Sequence, residues 1–519
     1  MILCIVFRES NFKKMTDAST EYNDRLQKLN DIKDAGMIPY LDRYERTHKC
    51  LEAKGMGEKE GVRDTEKIMA KAKSDVKICG RLMSFRSHGK ISFGQLQDTS
   101  GRVQICFMKD VLGDDQYKFL KKVDVADFLG CEGELFETKH GEITLMVTDY
   151  KLLSKALRPL PEKFHGVKDQ ETLYRQRYLD IIMNPDTKKR FEFRSDFIRR
   201  LREFYHENGF MEVETPVLAS SASGALAKPF VTHHDALDHD FYLRIAAGET
   251  YQKELIASGY EKTFEIGKVF RNEGMDPSHL QEFTMNEFYH AYWNYEDLMK
   301  FTEEMFEFLL KETVGSLEFE IKDREGELRK VNFKTPWPRH SMHDLIKKDC
   351  GIDISKFDNP AELLAEIKAK NIQIEDADKL GLGNLIDHLY KKVSRPKMVD
   401  PVFLINHPTE LSPLARRNDE NPKVTDRFQL VVNGWEIVNA YSELINPLQQ
   451  ADAFKSQSEA KEAGDEEAHA KDDEFVMAME HGFPPMAGWG MGIDRIVALL
   501  TQQDNLKDVV LFPLLRPHE

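Results

Sequence analysis

Residues 263–292 read TFEIGKVFRNEGMDPSHLQEFTMNEFYHAY, and the alternation in this stretch decides the fold. TFEIGKVFR (263–271) suits a strand, NEGMDPSHLQ (272–281) a loop punctuated by Gly274 and Pro277, and EFTMNEFYHAY (282–292) the returning strand. Side chains two apart share a face of a strand. Phe283, Glu287 and Tyr289 therefore point together: an aromatic plate, a carboxylate and a phenol. Arg271 and Glu273 stand at the hairpin tip, and an arginine can meet a phosphate with two parallel hydrogen bonds. Taken alone, the pattern fits a salt-bridged hairpin on a sheet edge better than a site.

Two further stretches change the balance. Residues 427–443, RFQLVVNGWEIVNAYSE, contain Asn433-Gly434, the strongest short hairpin signal in the chain. Asn439, Tyr441 and Glu443 share one face. Glu436 has the opposite parity, so it faces the same side only if the strand is bulged or kinked. Carboxylates on two strands beside an amide and a phenol form an acidic pocket, which selects a cation such as an ammonium. Residues 488–501, GWGMGIDRIVALLT, place Gly488, Gly490 and Gly492 along one strand face, where a flat ligand can approach the backbone. A helix begins near Asp494. Arg495, in its first turn, gains nothing from the helix dipole, so it points to phosphate binding there. The glycines do not have the Rossmann spacing, and neither Gly89-Lys90 nor Gly267-Lys268 is followed by the Ser or Thr of a Walker A loop. With no H-E-x-x-H, any metal is Mg²⁺ held by carboxylates and nucleotide phosphates.

N-terminal to these motifs the period changes. Val76–Phe85, Ile91–Asp98, Arg102–Met108, Phe128–Glu137 and Glu142–Tyr150 are β-rich runs, with a helix-like stretch, Asp115–Lys122, after the third. That is the order of an OB barrel. Phe85, Phe93, Phe107 and Phe136 are either base-stacking platforms or barrel core, and composition favours core. The expected organisation is a polar helical arm over 1–75, the barrel over 76–154, a Pro- and Gly-marked linker over 155–175, and one mixed region over 176–519. Within that region Thr187–Asn208 is an amphipathic helix stopped by Gly209, Phe210–Glu214 a strand, and 455–474 an exposed acidic helix.

Composition sets bounds. The chain has 519 residues, 41% hydrophobic and 31% charged, which excludes a disordered or fibrous protein. No apolar run spans a bilayer, and Ile2–Phe7 is too short for a secretory signal. Met15 is an alternative start. The six cysteines have no C-x-x-C spacing and imply a reducing, cytoplasmic setting, with Cys79, Cys106 and Cys131 as buried strand residues. Net charge is −16, against a surface built for nonspecific nucleic-acid binding. Residues 1–154 carry 26 basic and 25 acidic side chains and the remainder 47 and 64, so a polyanion docks more readily on the N-terminal part.

The three constellations resemble motifs of class II aminoacyl-tRNA synthetases. Thr187–Pro216 resembles motif 1; Phe270-Arg271-Asn272-Glu273 through Glu282-Phe283-Thr284 resembles motif 2; Gly488–Thr501 resembles motif 3. KALRPLPEKFHG (155–166), YRQRYLD (174–180) and AGWGMGIDR (487–495) are closest to the lysyl-tRNA synthetase family. The resemblance implies an α+β protein: a five-stranded OB-fold β-barrel reading the anticodon, and a class II catalytic domain with an antiparallel sheet flanked by helices. It implies a homodimer that uses ATP, L-lysine and tRNA(Lys), with Mg²⁺ as cofactor and no membrane partner. Arg271 would grip the α-phosphate; Glu273 and His279 would belong to the ATP loop; Phe283 and Arg495 would sandwich adenine. Arg271 and Arg495 would be the catalytic pair. Glu436 would hold Mg²⁺. Glu249, Glu287, Tyr289, Asn439, Tyr441 and Glu443 would form the lysine pocket, and Arg81, Phe93 and Gln97 would read the anticodon. An aspartyl or asparaginyl specificity would need a basic residue in place of Glu287 or Glu443.

The chain departs from the family at three places. Gln429 stands where the family has a metal-binding glutamate, so one Mg²⁺ site lacks its carboxylate or is filled through water. RIAAGETYQ (244–252) is one residue longer than the family's R-I-A-P-E-L-Y, which shifts the register around Glu249. His279-Leu280-Gln281-Glu282-Phe283 lacks the usual proline, which alters the mobility of the loop.

Overall fold

A computed structural model describes residues 20–60, 76–161, 169–220, 227–323, 326–462 and 472–517. The chain divides into two compact units, Met1–Gly166 and Val167–Glu519.

In the first unit, β1 (Val76–His88), β2 (Ile91–Gln97), β3 (Arg102–Met108), β4 (Phe128–Glu137) and β5 (Ile143–Ser154) close a barrel in the order β1-β2-β3-β5-β4. β3 and β5 run parallel and every other pair antiparallel. Alternation sets the wall: in β2, Ser92, Gly94 and Leu96 face inward while Phe93, Gln95 and Gln97 face outward. β1 runs three residues past the expected end because its ladder with β2 continues to His88↔Ile91 around Gly89. The helical stretch after β3 is present as short turns, Lys109–Leu112, Asp114–Phe119 and Leu120–Lys122. The expected arm is not detached. Ile32, from a helix over 20–34, and Cys50 and Ala53, from the helix Cys50–Glu60, join the barrel's own apolar cluster. Residues 1–19 and 61–75 of that expected arm lie outside the described residues. The start of the expected linker also belongs to the barrel: buried Lys155 pairs with Asp124 at 2.7 Å and Asp127 at 3.0 Å.

The second unit contributes β6 (Met211–Glu212), β7 (Leu218–Ala219), β8 (Val231–His234), β9 (His239–Leu243), β10 (Lys262–Phe270), β11 (Glu282–Ala291), β12 (Glu318–Lys322), β13 (Leu328–Asn332), β14 (Arg339–Ser341), β15 (Val402–Ile405), β16 (Arg427–Val432), β17 (Trp435–Ser442) and β18 (Met486–Gly492). Eight form one sheet, ordered β14-β15-β16-β17-β18-β11-β10-β6. The six middle strands are antiparallel, as expected. The two edges are not: β6 lies parallel to β10 and β14 parallel to β15. The motif 1 strand shortens to β6 because only Met211 and Glu212 reach register with Thr263 and Phe264.

Two helices cover one face of this sheet. Pro185–Glu207 starts on a proline, tolerated there because the first N–H groups of a helix have no partner to lose. Tyr295–Thr313 begins with a capping box between Asn294 and Asp297. Its stripe of Leu298, Phe301, Met305, Phe306, Leu309 and Leu310 packs with Phe288, Val438, Ala440, Trp489 and Met491 of the strands. Each such side chain contributes about 1.5–3 kcal/mol by leaving water. Trp489 also donates its indole N–H to Thr302 Oγ1 at 2.9 Å, satisfying the one polar atom it carries into the core. With one face sealed, β11, β17 and β18 present their alternate side chains to the open one. The acidic stretch 455–474 is helical to Glu462 within the helix Pro447–Glu462, and 463–471 lie outside the described residues.

Candidate active site

The open face carries a cleft of about 290 Å³. Its walls bring together Glu249, Arg271, Glu273, His279, Phe283, Glu287, Tyr289, Glu436, Asn439, Tyr441 and Arg495, residues the sequence places on separate segments. β11 supplies Phe283, Glu287 and Tyr289 by simple alternation. β17 supplies Asn439 and Tyr441 the same way. Glu436 reaches the cleft through the bulge its parity demanded: Leu430 pairs with Val438 while Val431 pairs with Glu436, so one extra residue is inserted in β17. Asn433 and Gly434, both at positive φ (50° and 67°), make the turn that feeds it.

One end of the cleft is acidic and buried. Glu287 is 5% exposed and accepts one hydrogen bond, from the Ala247 N–H at 3.0 Å. Burial, then the nearby Glu249, pushes its carboxyl up to about 7. Glu249 opens the helix Glu249–Ala257 and accepts from Tyr441 OH at 2.8 Å. Gly248, just before this helix, sits at φ +76° against Thr215. Glu443 is not itself among the cleft walls; it lies just beyond β17, 3% exposed, and burial raises its carboxyl as well. Its Oε1 has no hydrogen-bond partner. It lies over Gly488, where an added Cβ would come within 2.2 Å of it and 2.5 Å of the Tyr289 ring. The glycine here leaves room for the pocket's own carboxylate.

The other end is cationic. The Arg271 guanidinium stands 5.3 Å from the Phe283 ring centroid and donates to the Ile245 carbonyl at 3.3 Å. Burial pulls its pKa down from the ordinary arginine value, with Glu273 opposing. Arg495 donates to the Glu436 carbonyl at 3.3 Å. His279 is exposed and pairs with Asp276 at 2.7 Å. The loop without its proline is braced by Gln281, which donates to the Gly274 carbonyl at 2.9 Å, and by buried Leu280.

Gln429 is buried on β16 opposite Asn439 and is not among the cleft walls. Among the described residues no cluster of three His, Cys, Asp or Glu could hold a metal by itself. Half-exposed Glu436 is the remaining carboxylate on that side.

In the first unit, Arg81 and Gln97 stand opposite one another on β1 and β2, and Phe93 follows Gln97 along the outer face of β2. The Arg81 guanidinium lies 4.3 Å from the Phe128 ring centroid. Phe107 is barrel core, and Phe85 packs edge-on against it with centroids 6.1 Å apart; Phe136 is buried in a separate cluster with Cys106 and Met146, against which Phe93 packs. Cys106 and Cys131 are buried as expected, Cys79 only partly.

A family model described as class II tRNA synthetases (D, K and N) matches residues 169–516, and one described as an OB-fold nucleic acid binding domain matches 76–153. The chain belongs to the class II tRNA synthetases. Relatives of this synthetase include the lysine–tRNA ligases of Carboxydothermus hydrogenoformans, 42% identical over 95% of this chain and 98% of that protein. Those of Thermosipho africanus (43%; 95% and 96%) and Bacillus subtilis (42%; 96% and 98%) are similar to the same extent.

Sequence reading missed three groups in this synthetase. Buried Asp494 accepts from Arg194 at 2.6 Å and from the Thr284 N–H at 2.8 Å, tying the helix Ile493–Leu500 to β11 and to the helix Pro185–Glu207. Arg427 lines the cleft and donates to Asn439 Oδ1 at 2.8 Å, fixing that amide. Lys253 sits between two of the glutamates. The Glu-x-x-x-Lys spacing of Glu249 and Lys253 is a signal for the last of these, and Arg427 and Asn439 lie twelve residues apart across the Asn433-Gly434 hairpin; Asp494 joins segments 210 and 300 residues away and has none.

Proposed function

We propose that this synthetase activates L-lysine with ATP and transfers the lysyl group to the 3′ end of tRNA(Lys). The observation that carries the specificity is the buried Glu443 carboxylate, whose Oε1 has no hydrogen-bond partner and which feels the Glu249 and Glu287 carboxylates. Three buried acidic side chains here share one lysine, Lys253, and buried charge left unmatched is costly. A long side chain ending in an ammonium removes that cost, whereas an aspartyl or asparaginyl side chain adds to it. The cations nearby are already engaged: Lys253 by two glutamates, Arg427 by Asn439 and the Leu411 carbonyl, and Arg271, which faces Glu287, by the Ile245 carbonyl.

In the first step a lysine carboxylate oxygen bonds to the α-phosphorus, the bond to the bridging oxygen breaks, and pyrophosphate leaves. Glu249 holds the α-amino group and Glu443 the ε-ammonium. Arg271 meets the α-phosphate and the charge that develops there. Phe283 and Arg495 hold adenine between them. Glu436 would hold Mg²⁺ together with nucleotide oxygens, a donor set that suits an ion binding through one carboxylate and phosphates; the ion offsets phosphate charge. In the second step a ribose hydroxyl of the tRNA attacks the lysyl carbonyl and AMP leaves. Catalysis is by positioning, with no covalent enzyme intermediate. Arg81, Phe93 and Gln97 read the anticodon. The enzyme works in the cytoplasm as a homodimer, a reading supported by the exposed apolar side chains of Met211, Leu218 and Val231 around the motif 1 strand. Among the described residues no helix is long and apolar enough to cross a membrane.

The test is ATP–pyrophosphate exchange with lysine, aspartate and asparagine in turn. Exchange with lysine alone is expected. Exchange with an acidic amino acid or its amide overturns the specificity, and none with any amino acid points to a non-catalytic binding protein.

A further inference from the structure

Lys253 is 3% exposed, yet no step above uses it. Its Nζ lies 2.8 Å from Glu249 Oε1 and 2.7 Å from Glu443 Oε2. Three rings surround it, with centroids at 5.7 Å (Phe475), 5.8 Å (Tyr289) and 6.0 Å (Tyr441). The protein thus holds one of its own lysines in the setting proposed for the substrate's: carboxylates at the tip and aromatic faces around it.

Resting on the lysine reading above, we propose that Lys253 is a positioning residue for amino-acid recognition: a resident counter-ion held between Glu249 and Glu443 that aims the free oxygen of Glu443 at the incoming ammonium. Charge count carries the argument. Glu249, Glu287 and Glu443 share one buried space, and like charges so placed hold a proton between them unless a cation intervenes. Lys253 supplies one cation. The substrate supplies two, its α- and ε-ammonium groups. Three carboxylates are then matched by three ammonium groups, and the substrate's own carboxylate is left for Arg271. Geometry agrees. Lys253 Nζ lies 2.7 Å from Oε2 of Glu443, while Oε1 lies over Gly488 and has no hydrogen-bond partner.

The groups facing this cluster are few. Lys253 faces Glu249 on its own helix, Glu443 after β17, and the two phenols. Glu443 faces Lys253, Glu249 and Glu287. Glu287 faces Glu249, Arg271 and Glu265. An opposite charge at this range moves a carboxyl by about one to three pH units. Burial and the two phenols stay in place when Lys253 is replaced, so the loss of the cation is read alone.

The experiment is lysine-dependent pyrophosphate exchange by the full-length enzyme, wild type against K253M, from pH 6 to 9. The acid limb of kcat/KM for lysine is expected to move up by about one to three pH units in K253M, with at least about a tenfold loss at pH 7. KM for ATP is expected to stay within about twofold. K253Q gives the same readout if K253M is too unstable to assay. A structural role would lower activity equally at every pH, so an unmoved acid limb overturns the inference. Absence of lysine-dependent exchange in the wild type overturns the lysine reading and this inference with it.

Discussion

At the residue scale the acidic end of the cleft makes two predictions. Glu443→Gln keeps shape and volume but removes the charge that meets the ammonium. Losing one partner of a buried charge pair costs about 2–5 kcal/mol, which is at least about 30-fold in KM for lysine. KM for ATP should change little, because the nucleotide end of the cleft is built from Arg271, Phe283 and Arg495 on other segments. Steady-state exchange kinetics with each substrate varied in turn measure the split. The second concerns pH. Burial raises Glu287 to about 7 and raises Glu443 as well, with Lys253 pulling Glu443 back. A raised carboxyl is neutral below its folded pKa, and a neutral acid does not attract an ammonium. Lysine binding should therefore strengthen as pH climbs through about 7 and then level off, well short of the ~10.4 at which lysine's own ε-amine loses its proton. The same shift works against the empty fold: these groups bind more protons folded than unfolded, so stability falls as pH rises from the ordinary carboxylate range toward their folded values. Lysine should restore it. The rise in melting temperature on adding saturating lysine should be larger at pH 8 than at pH 6. An equal rise at both would remove the titrating glutamates from the pocket.

At the scale of elements, the clamp on Asp494 holds two motifs in register. Both its oxygens are occupied, one by Arg194 and one by the Thr284 N–H two residues before Asn286 and three before Glu287. Asp494→Asn can keep only one of these acceptors, and its new N–H₂ faces a donor. The expected cost is about 1–3 kcal/mol for the unmet group, read as a lower melting temperature. A fall in kcat larger than the rise in either KM should accompany it, because the Phe283 side and the Arg495 side of the nucleotide site would no longer be fixed together. This clamp also marks where sequence reading ends. The β11 face was legible because period-two alternation puts Phe283, Glu287 and Tyr289 together without knowing any neighbour. A local irregularity at Glu436 was legible because the parity conflict calls for a bulge or a kink, and the strand takes the bulge. The five barrel strands were legible from their turns. What pairs across distance was not: Asp494 meets Arg194 from 300 positions away, and Lys253 meets Glu443 from 190. Nor could alternation tell Phe93 from Phe107, since both are strand aromatics and only closure of the barrel decides which side is inside. The helical character of the N-terminal stretch was legible too, but the surface that receives Ile32, Cys50 and Ala53 comes from strands read separately.

At the scale of the whole molecule, the chemistry is divided between two units, and the two steps of the reaction should come apart accordingly. Adenylate formation needs only the cleft of the second unit. Transfer needs tRNA as well, and the barrel offers Phe93, partly exposed between the buried residues Ser92 and Gly94 of β2. A base stacked on an aromatic contributes about 1–3 kcal/mol. Phe93→Ala should therefore lower kcat/KM for tRNA by roughly five- to 150-fold while pyrophosphate exchange stays near that of the wild type. If both steps fall together, Phe93 is a structural residue of the barrel. Salt offers an independent reading of the same division. The chain carries −16 overall, but residues 1–154 are near balance with 26 basic and 25 acidic side chains, so their surface does not repel a polyanion as the remainder does. Contacts with phosphates release counter-ions, and affinity then falls steeply with salt, in proportion to the number of phosphates neutralised. KM for tRNA should climb steeply between 50 and 200 mM salt, values at which such contacts weaken by orders of magnitude. Lysine is held in a buried pocket, where screening reaches poorly. Its KM should change far less over the same range, so that raising salt uncouples charging from activation in the wild-type enzyme without any substitution.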